Sequence, residues 1–207
     1  VEHTVNQAKK DSLFDDSEPK IGGISSTNKD LENISNADYN RTALFMIIGI
    51  FIILVVLLRS ILMPVYLVGS LILTYFTSIA FTEALFIHVF GYDGLTWVVP
   101  FFSFVMLLAL GVDYSIFLMD RFNENKNQPI KTALLSAMNN MGTVIISAAI
   151  ILGGTFAAML PSGVLSLLQI ASAVIIGLFL YAFIMLPLFT PVMVRLFGEA
   201  NWWPFKR

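Results

Sequence analysis

The 207-residue chain has no cysteine. That excludes disulfides, thiolate metal sites and cysteine nucleophiles, and it leaves the redox compartment unread. Charge is scarce: Asp, Glu, Lys and Arg make up 13% of the residues, about half the share of a soluble globular domain. Between residues 132 and 194 there is no Asp, Glu, Lys, Arg or His. The net charge is −2 with no basic stripe, which excludes a nucleic-acid binder. No glycine-rich phosphate loop precedes a lysine, so ATP is not indicated. The polar first 38 residues lack the basic head, short apolar run and small-residue cleavage site of a signal peptide, and no repeat with a period of 20–50 residues is present.

What is there is apolar. The AVILMFWYC residues make up 57% of the chain and the mean hydropathy is +0.80. This excludes a disordered chain and an ordinary cytosolic enzyme. It implies an all-α polytopic membrane protein.

A bilayer core is about 30 Å thick and takes ~20 helical residues to cross. Five spans are expected, at about 40–58, 62–81, 97–118, 141–160 and 164–188. Arg59 stops the first, Pro64 lies in the first turn of the second, and Asp120-Arg121 stops the third. Ile21-Gly22-Gly23 followed by Ser25-Ser26-Thr27-Asn28 reads as a turn or strand end. Val1–Leu13 reads as a helix tail, and Ser35-Asn36-Ala37-Asp38 supplies N-caps for the first span. Residues 83–96 read as a loop with a turn at Gly91-Tyr92-Asp93-Gly94. Residues 129–140 read as an interfacial helix that then bends inward. Pro161-Ser162-Gly163 splits the uncharged stretch, and Pro187 and Pro191 kink or end the last span. Residues 196–207 read as a C-terminal tail whose Trp202-Trp203 suits an interface belt.

Basic residues give the orientation. Arg59, Arg121, Lys126, Lys131, Arg195, Lys206 and Arg207 share one side, and the opposite loops, 82–96 and 160–163, hold no Lys or Arg. The positive-inside rule then makes the protein multi-pass in the cell membrane, with the C-terminus cytoplasmic and residues 1–38 extracytoplasmic. That lead is too short to bury a core of its own and reads as the tail of a larger translocated domain.

Asp113 lies inside the third span, eight residues before Arg121, and so ~12 Å from the helix end at 1.5 Å per residue. It is the formally charged residue deep in a span. On insertion scales an Asp near a helix centre costs ~2.5–3.5 kcal/mol, so it is expected to face the bundle or a water-filled cavity. A carboxyl on the outer rim, pointing into hydrocarbon, would leave only a five-helix anchor. Desolvation disfavours the charged form, which suits a group that loads and unloads protons; a structural hydrogen bond between helices is the alternative. Tyr114 follows directly. Phe117 lies at i+4, on the same face as Asp113. Gly111 removes a side chain nearby, which permits close helix approach or local backbone opening.

The run Gly111-Val112-Asp113-Tyr114-Ser115-Ile116-Phe117-Leu118-Met119-Asp120-Arg121-Phe122-Asn123-Glu124 closely resembles the Gly-x-Asp-Tyr…Phe-Leu…Arg…Glu signature of MMPL-type transporters in the resistance–nodulation–division (RND) superfamily. Gly142-Thr143-Val144-Ile145-Ile146-Ser147-Ala148-Ala149 resembles the start of that family's next helix. Gly22-Gly23 with Asp30 resembles the end of its extracytoplasmic porter domain, and Gly198 with Trp202-Trp203-Pro204 its C-terminal exit. The resemblance implies twelve spans in two halves, of which this chain is the last five, with residues 1–38 the tail of the second porter-like domain. It implies that Asp113 and Tyr114 form half of a proton relay whose other half lies in the N-terminal half of the same transporter, so that in this chain alone Asp113 faces a missing bundle and is left exposed to lipid. Gly111, Phe117 and Ser147 support the relay or its packing. The energy source is the proton gradient, with no other cofactor. The cargo is a hydrophobic or amphipathic compound such as a lipid, fatty acid or drug. Membrane lipids surround the protein, and no enzyme activity is implied. Sterol-sensing relatives, or SecD/SecF-like accessory subunits that do not pump, are the alternatives.

Many members carry an acidic residue and, five positions later, an arginine in the last span. Here Tyr181 and Leu186 stand there, and apolar packing is expected in place of an ion pair. Ser115, Ser147, Thr143 and Asn140 either extend a hydrated path from Asp113 or make ordinary contacts between helices. Glu83, His88 and Asp93, spaced five and five, fit no helical face and read as solvated loop charges, not a metal site. Gly153-Gly154 suits a homo-oligomer contact or close packing within the bundle. Phe101, Phe102 and Phe104 together suggest an apolar path.

Overall fold

The structure, a computed structural model, describes residues 24–125 and 127–204, with the side chains of 24–30 and 32–37 outside the description. The expectations for residues 1–23, with Gly22-Gly23, and for Lys126, Lys206 and Arg207 lie outside the described residues. The chain divides into two compact units, 1–42 and 43–207. The first is helical from Ile24 onward; the second contains the bundle.

The helices are α1 (Ile24–Leu58), α2 (Leu62–His88), α3 (Val98–Glu124), α4 (Ile130–Ala157) and α5 (Leu165–Leu180). The last runs on through a π-helical stretch, Tyr181–Phe189, into α6 (Thr190–Phe197). No strand occurs among the described residues. Five stretches are long and apolar enough to cross a membrane: Asp38–Leu58, Leu62–His88, Val98–Glu124, Ile130–Ser162 and Leu165–Trp202. The protein is an all-α polytopic membrane protein.

Several boundaries differ from expectation, for one reason. Adding a residue to an existing helix costs far less than starting one, so a helix continues until a stronger signal stops it. The Ser25–Asn28 run and the expected caps at 35–38 are inside α1. Glu83 and His88 belong to α2, not to a loop. The interfacial helix and the fourth span are one unbroken helix, α4. Pro187 and Pro191 do not end the last span. Pro187 has no N–H for the usual i−4 bond. The turn widens instead, and the Thr190 N–H and its Oγ1 (3.2 Å) both donate to the carbonyl five residues back, at Met185.

Of the α2 and α3 spans and the last span, 56%, 50% and 50% is buried, against 11% for the α1 span and 17% for α4. The packed centre is therefore α2, α3 and α5, which contact one another. Two glycines permit that closeness. A Cβ on Gly111 would collide with the Leu71 side chain, and one on Gly177 with Leu107.

Polar ties close both ends of the bundle. At one end buried Gln169 accepts from the Thr96 N–H (2.9 Å) and Oγ1 (2.8 Å), and its Nε2 donates to the Gly94 carbonyl (3.0 Å). This fixes the α2–α3 loop on α5. At the other, buried Asn201 donates to the carbonyls of Val194 (2.7 Å) and Gly198 (2.6 Å) and accepts from the Tyr66 hydroxyl (3.4 Å). Ser60 Oγ donates to the Asn201 carbonyl. Trp202 is buried, stacked on Phe122 at 5.3 Å, and donates to Asn123 Oδ1 (3.1 Å). Residues 198–202 are thus docked, not a free tail. Of the expected interface pair only Trp203 is exposed, because the indole N–H of Trp202 finds an acceptor inside.

Candidate functional site

Asp113 lies close to the middle of α3. Its side chain is exposed on the outer surface of the five-helix bundle. It does not face this bundle: the placement is the one expected if the bundle it meets is missing here and, were nothing to cover it, the one that would leave only a five-helix anchor. The reason is the helical period. The exposed positions of α3 are Phe102, Met106, Ala109, Asp113, Phe117, Asp120 and Glu124, with Arg121 beside them. Steps of three and four residues place the first seven on one stripe. Phe117, 54% exposed, sits on that stripe with Asp113.

Tyr114 faces the other way. It is 4% exposed, and its hydroxyl has no hydrogen-bond partner among the described residues. It lines a cavity of about 10 Å³ with Thr74, Gly111, Gly177, Tyr181 and neighbouring leucines, about the space of one water molecule. Ser103, also on α3, has a second buried hydroxyl without a partner among the described residues. The Asp-Tyr dipeptide therefore joins the outer face of α3 to its packed interior.

The supporting residues divide the same way. Gly111 acts by close approach: Leu71 and the Tyr181 ring occupy the space beside it. Ser115 leads inward, donating to the Gly111 carbonyl (2.9 Å) and sharing a 2.5 Å hydrogen bond with the Tyr181 hydroxyl. The expected apolar replacement in the last span holds for buried Leu186 but not for Tyr181, whose hydroxyl is tied to Ser115. On α4, Asn140, Thr143 and Ser147 are all exposed, at spacings that share one face. Phe101, Phe102 and Phe104 do not form one path. They are half-buried, exposed and buried, and Phe104 packs edge-on against Tyr75 at 5.1 Å. Gly153 is packed against Phe179 within the chain, while Gly154 is open.

Sequence reasoning missed Gln169 and Asn201. Gln169 carried a signal, as the sole amide side chain between residues 141 and 194. Arg121 pairs with Glu124 at 2.7 Å, an exposed pair at the helix end that contributes little.

The family model described as "MMPL family" matches residues 1–207. The chain is 52% identical, over 99% of its length, to YdgH of Bacillus subtilis, named as a membrane protein. It is 37% identical, over 90% of its length, to SCO5905 of Streptomyces coelicolor, also named as a membrane protein. It is 26% identical, over 97% of its length, to MmpL12 of Mycobacterium tuberculosis, named as a transport protein. The matched regions are 24%, 22% and 17% of those proteins, so the chain spans a quarter or less of the length of these three relatives. With its Asp-Tyr pair on a membrane-spanning helix and a family match from end to end, this chain belongs to the MMPL family, a family of membrane transport proteins.

Proposed function

We infer that this chain is the second membrane half of a proton-driven exporter of hydrophobic or amphipathic compounds. Asp113 takes up a proton from one side of the membrane and releases it to the other, and Tyr114 couples that exchange to the packed interior. The observation that carries this reading is the position of Asp113: mid-helix, on an exposed stripe of a span otherwise uncharged until its last turns. A carboxyl left at that depth against lipid costs ~2.5–3.5 kcal/mol or more. A membrane protein avoids that cost by covering the group with protein or water. The matched relatives are four or more times longer than this chain, which leaves ample chain to cover it. The polar face of α4, with Asn140, Thr143 and Ser147, suits the same covered, hydrated seam. The membrane potential supplies ~2.3 kcal/mol per charge per 100 mV, so the protons moved set the work available for export.

The test is export by the full-length protein in inverted membrane vesicles, with a panel of fatty acids, lipids and drugs and an imposed proton gradient. Asp113→Asn is expected to abolish gradient-dependent transport while the protein still inserts at wild-type levels. Tyr114→Phe is expected to slow it. Full activity in Asp113→Asn would end the relay and leave a sensor or accessory bundle as the reading of this fold.

A further inference from the structure

A cleft of about 460 Å³ lies between the start of α4 and the last span. That volume is within the range of ligand pockets. One wall is Lys131, Leu134, Leu135 and Met138; the other includes Pro187, Pro191, Val192 and Arg195. Both sets follow helical spacing, so two helix faces look at each other across a gap. Pro187 belongs to the π-helical stretch, a widened turn of the kind often found at functional sites.

The charges are confined to one end. Lys131 is in the first turn of α4 and Arg195 in the last turn of α6. Both side chains are exposed, and among the described residues neither has an acidic partner. The N-terminus of α4, a 28-residue helix with no acidic residue in its first turn, adds its positive end to the same place. Every other lining residue is apolar.

The apolar part does not stop there. A second, smaller crevice, lined wholly by apolar residues and glycine, shares Met138 and Pro187 with the first and continues past Gly142 and Ile145 to Ile146. From Lys131 to Ile146 is ~22 Å along the helix. That exceeds the ~15 Å depth of one leaflet's hydrocarbon, so the groove is long enough for a whole acyl chain. Cations at the mouth and an apolar channel running inward have the shape and polarity of a phospholipid.

We propose that this groove is a binding site for an anionic phospholipid of the cytoplasmic leaflet, with its phosphodiester between Lys131 and Arg195 and one acyl chain along Met138, Ile145 and Pro187. The leaflet follows from the side on which the basic residues cluster. Basic pockets between membrane helices on that side hold anionic headgroups on general grounds of charge. The site lies apart from the Asp113 stripe and does not depend on proton coupling.

The experiment uses purified full-length protein, delipidated and then titrated with dioleoyl phosphatidylglycerol, dioleoyl phosphatidylcholine, a short-chain phosphatidylglycerol or inorganic phosphate. Bound lipid is counted by native mass spectrometry. Wild type is expected to prefer the long-chain anionic lipid. The double variant Lys131→Gln/Arg195→Gln should weaken that binding about thirtyfold, the summed effect of two basic side chains near a headgroup. Lys131→Arg/Arg195→Lys should retain it, which separates lost charge from misfolding. Val192→Trp, which fills the apolar wall, should weaken long-chain binding without changing the melting temperature of the lipid-free protein. A phosphatidylglycerol carrying a photoreactive tail should label residues 134–146. Unchanged binding in the double glutamine variant, equal affinity for inorganic phosphate, or tail labelling confined to other helices would each overturn the proposal.

Discussion

The two faces of α3 differ in what holds them. The inner face, with Leu107, Gly111, Tyr114, Ser115, Leu118 and Phe122, is buried against α2 and the last span. The outer face, with Phe102, Met106, Asp113 and Phe117, touches nothing comparable. Inner-face side chains were selected by shape: two glycines admit leucine side chains, and hydroxyls find carbonyls or one another. The outer face carries the costly carboxyl. Consecutive residues on a helix point roughly 100° apart, so Asp113 and Tyr114 sit on different faces although they are neighbours in sequence. One face therefore builds the bundle, and the other is left for whatever lies beyond it.

The largest effect that tests this division is on Phe122. It is fully buried and stacked on Trp202. Phe122→Ala is expected to cost about 3–5 kcal/mol, read as a lower unfolding midpoint of the full-length protein in detergent. Phe117→Ala, five residues earlier on the outer face, should cost much less. Equal losses would break the distinction between the faces. Next comes Gly177→Val, which drives new methyl groups into Leu107; overpacking of this kind costs about 1–3 kcal/mol. Gly154→Val, with no heavy atom within 4 Å of the added Cβ, should leave the midpoint unchanged. Gln169→Leu is expected to lose about 1–3 kcal/mol. It keeps the volume but strips partners from the Thr96 N–H and the Gly94 carbonyl, and an unmade bond at a part-buried site costs that order. Proteolysis within residues 89–97 should speed up in that variant, since the loop loses its tie to α5.

How much of this could be read from the residues varied with the range of the interaction. Spans were legible because 57% apolar composition and an uncharged stretch at 132–194 depend on local pattern alone. Asp113 was legible because a carboxyl in such a pattern is costly wherever it points. Its direction was not, since the helical period says which residues share a face but not which face meets the bundle. The end ties were illegible for a different reason. Gln169 meets Gly94 and Thr96, and Asn201 meets Ser60 and Tyr66. These partners are far away in sequence, and nothing in the local pattern links them. Trp202 was misread at the interface for the same reason, because its acceptor on Asn123 comes from another helix. The π-helical passage through Pro187 escaped because proline signals a lost bond without saying how the chain recovers it.

The smallest expected effect bears on the same division from the inside. Tyr181 is buried with its hydroxyl on Ser115. Tyr181→Phe removes that oxygen, but Ser115 keeps its bond to the Gly111 carbonyl, so the serine is not stranded. Hydrogen bonds between membrane helices average ~0.6 kcal/mol, with a maximum near 1.7, and the midpoint should fall by no more than that. Transport should persist, because on this reading the proton exchanges on the outer face and Tyr181 only packs behind it. Tyr181→Glu should be far more damaging to folding. It buries a carboxyl in a stretch, 132–194, that holds no Lys, Arg or His, and an unpaired charge there has no compensation. Should Tyr181→Phe instead abolish transport as fully as Asp113→Asn, with an unaltered midpoint, the proton path would run through the interior and the two faces of α3 would share one task.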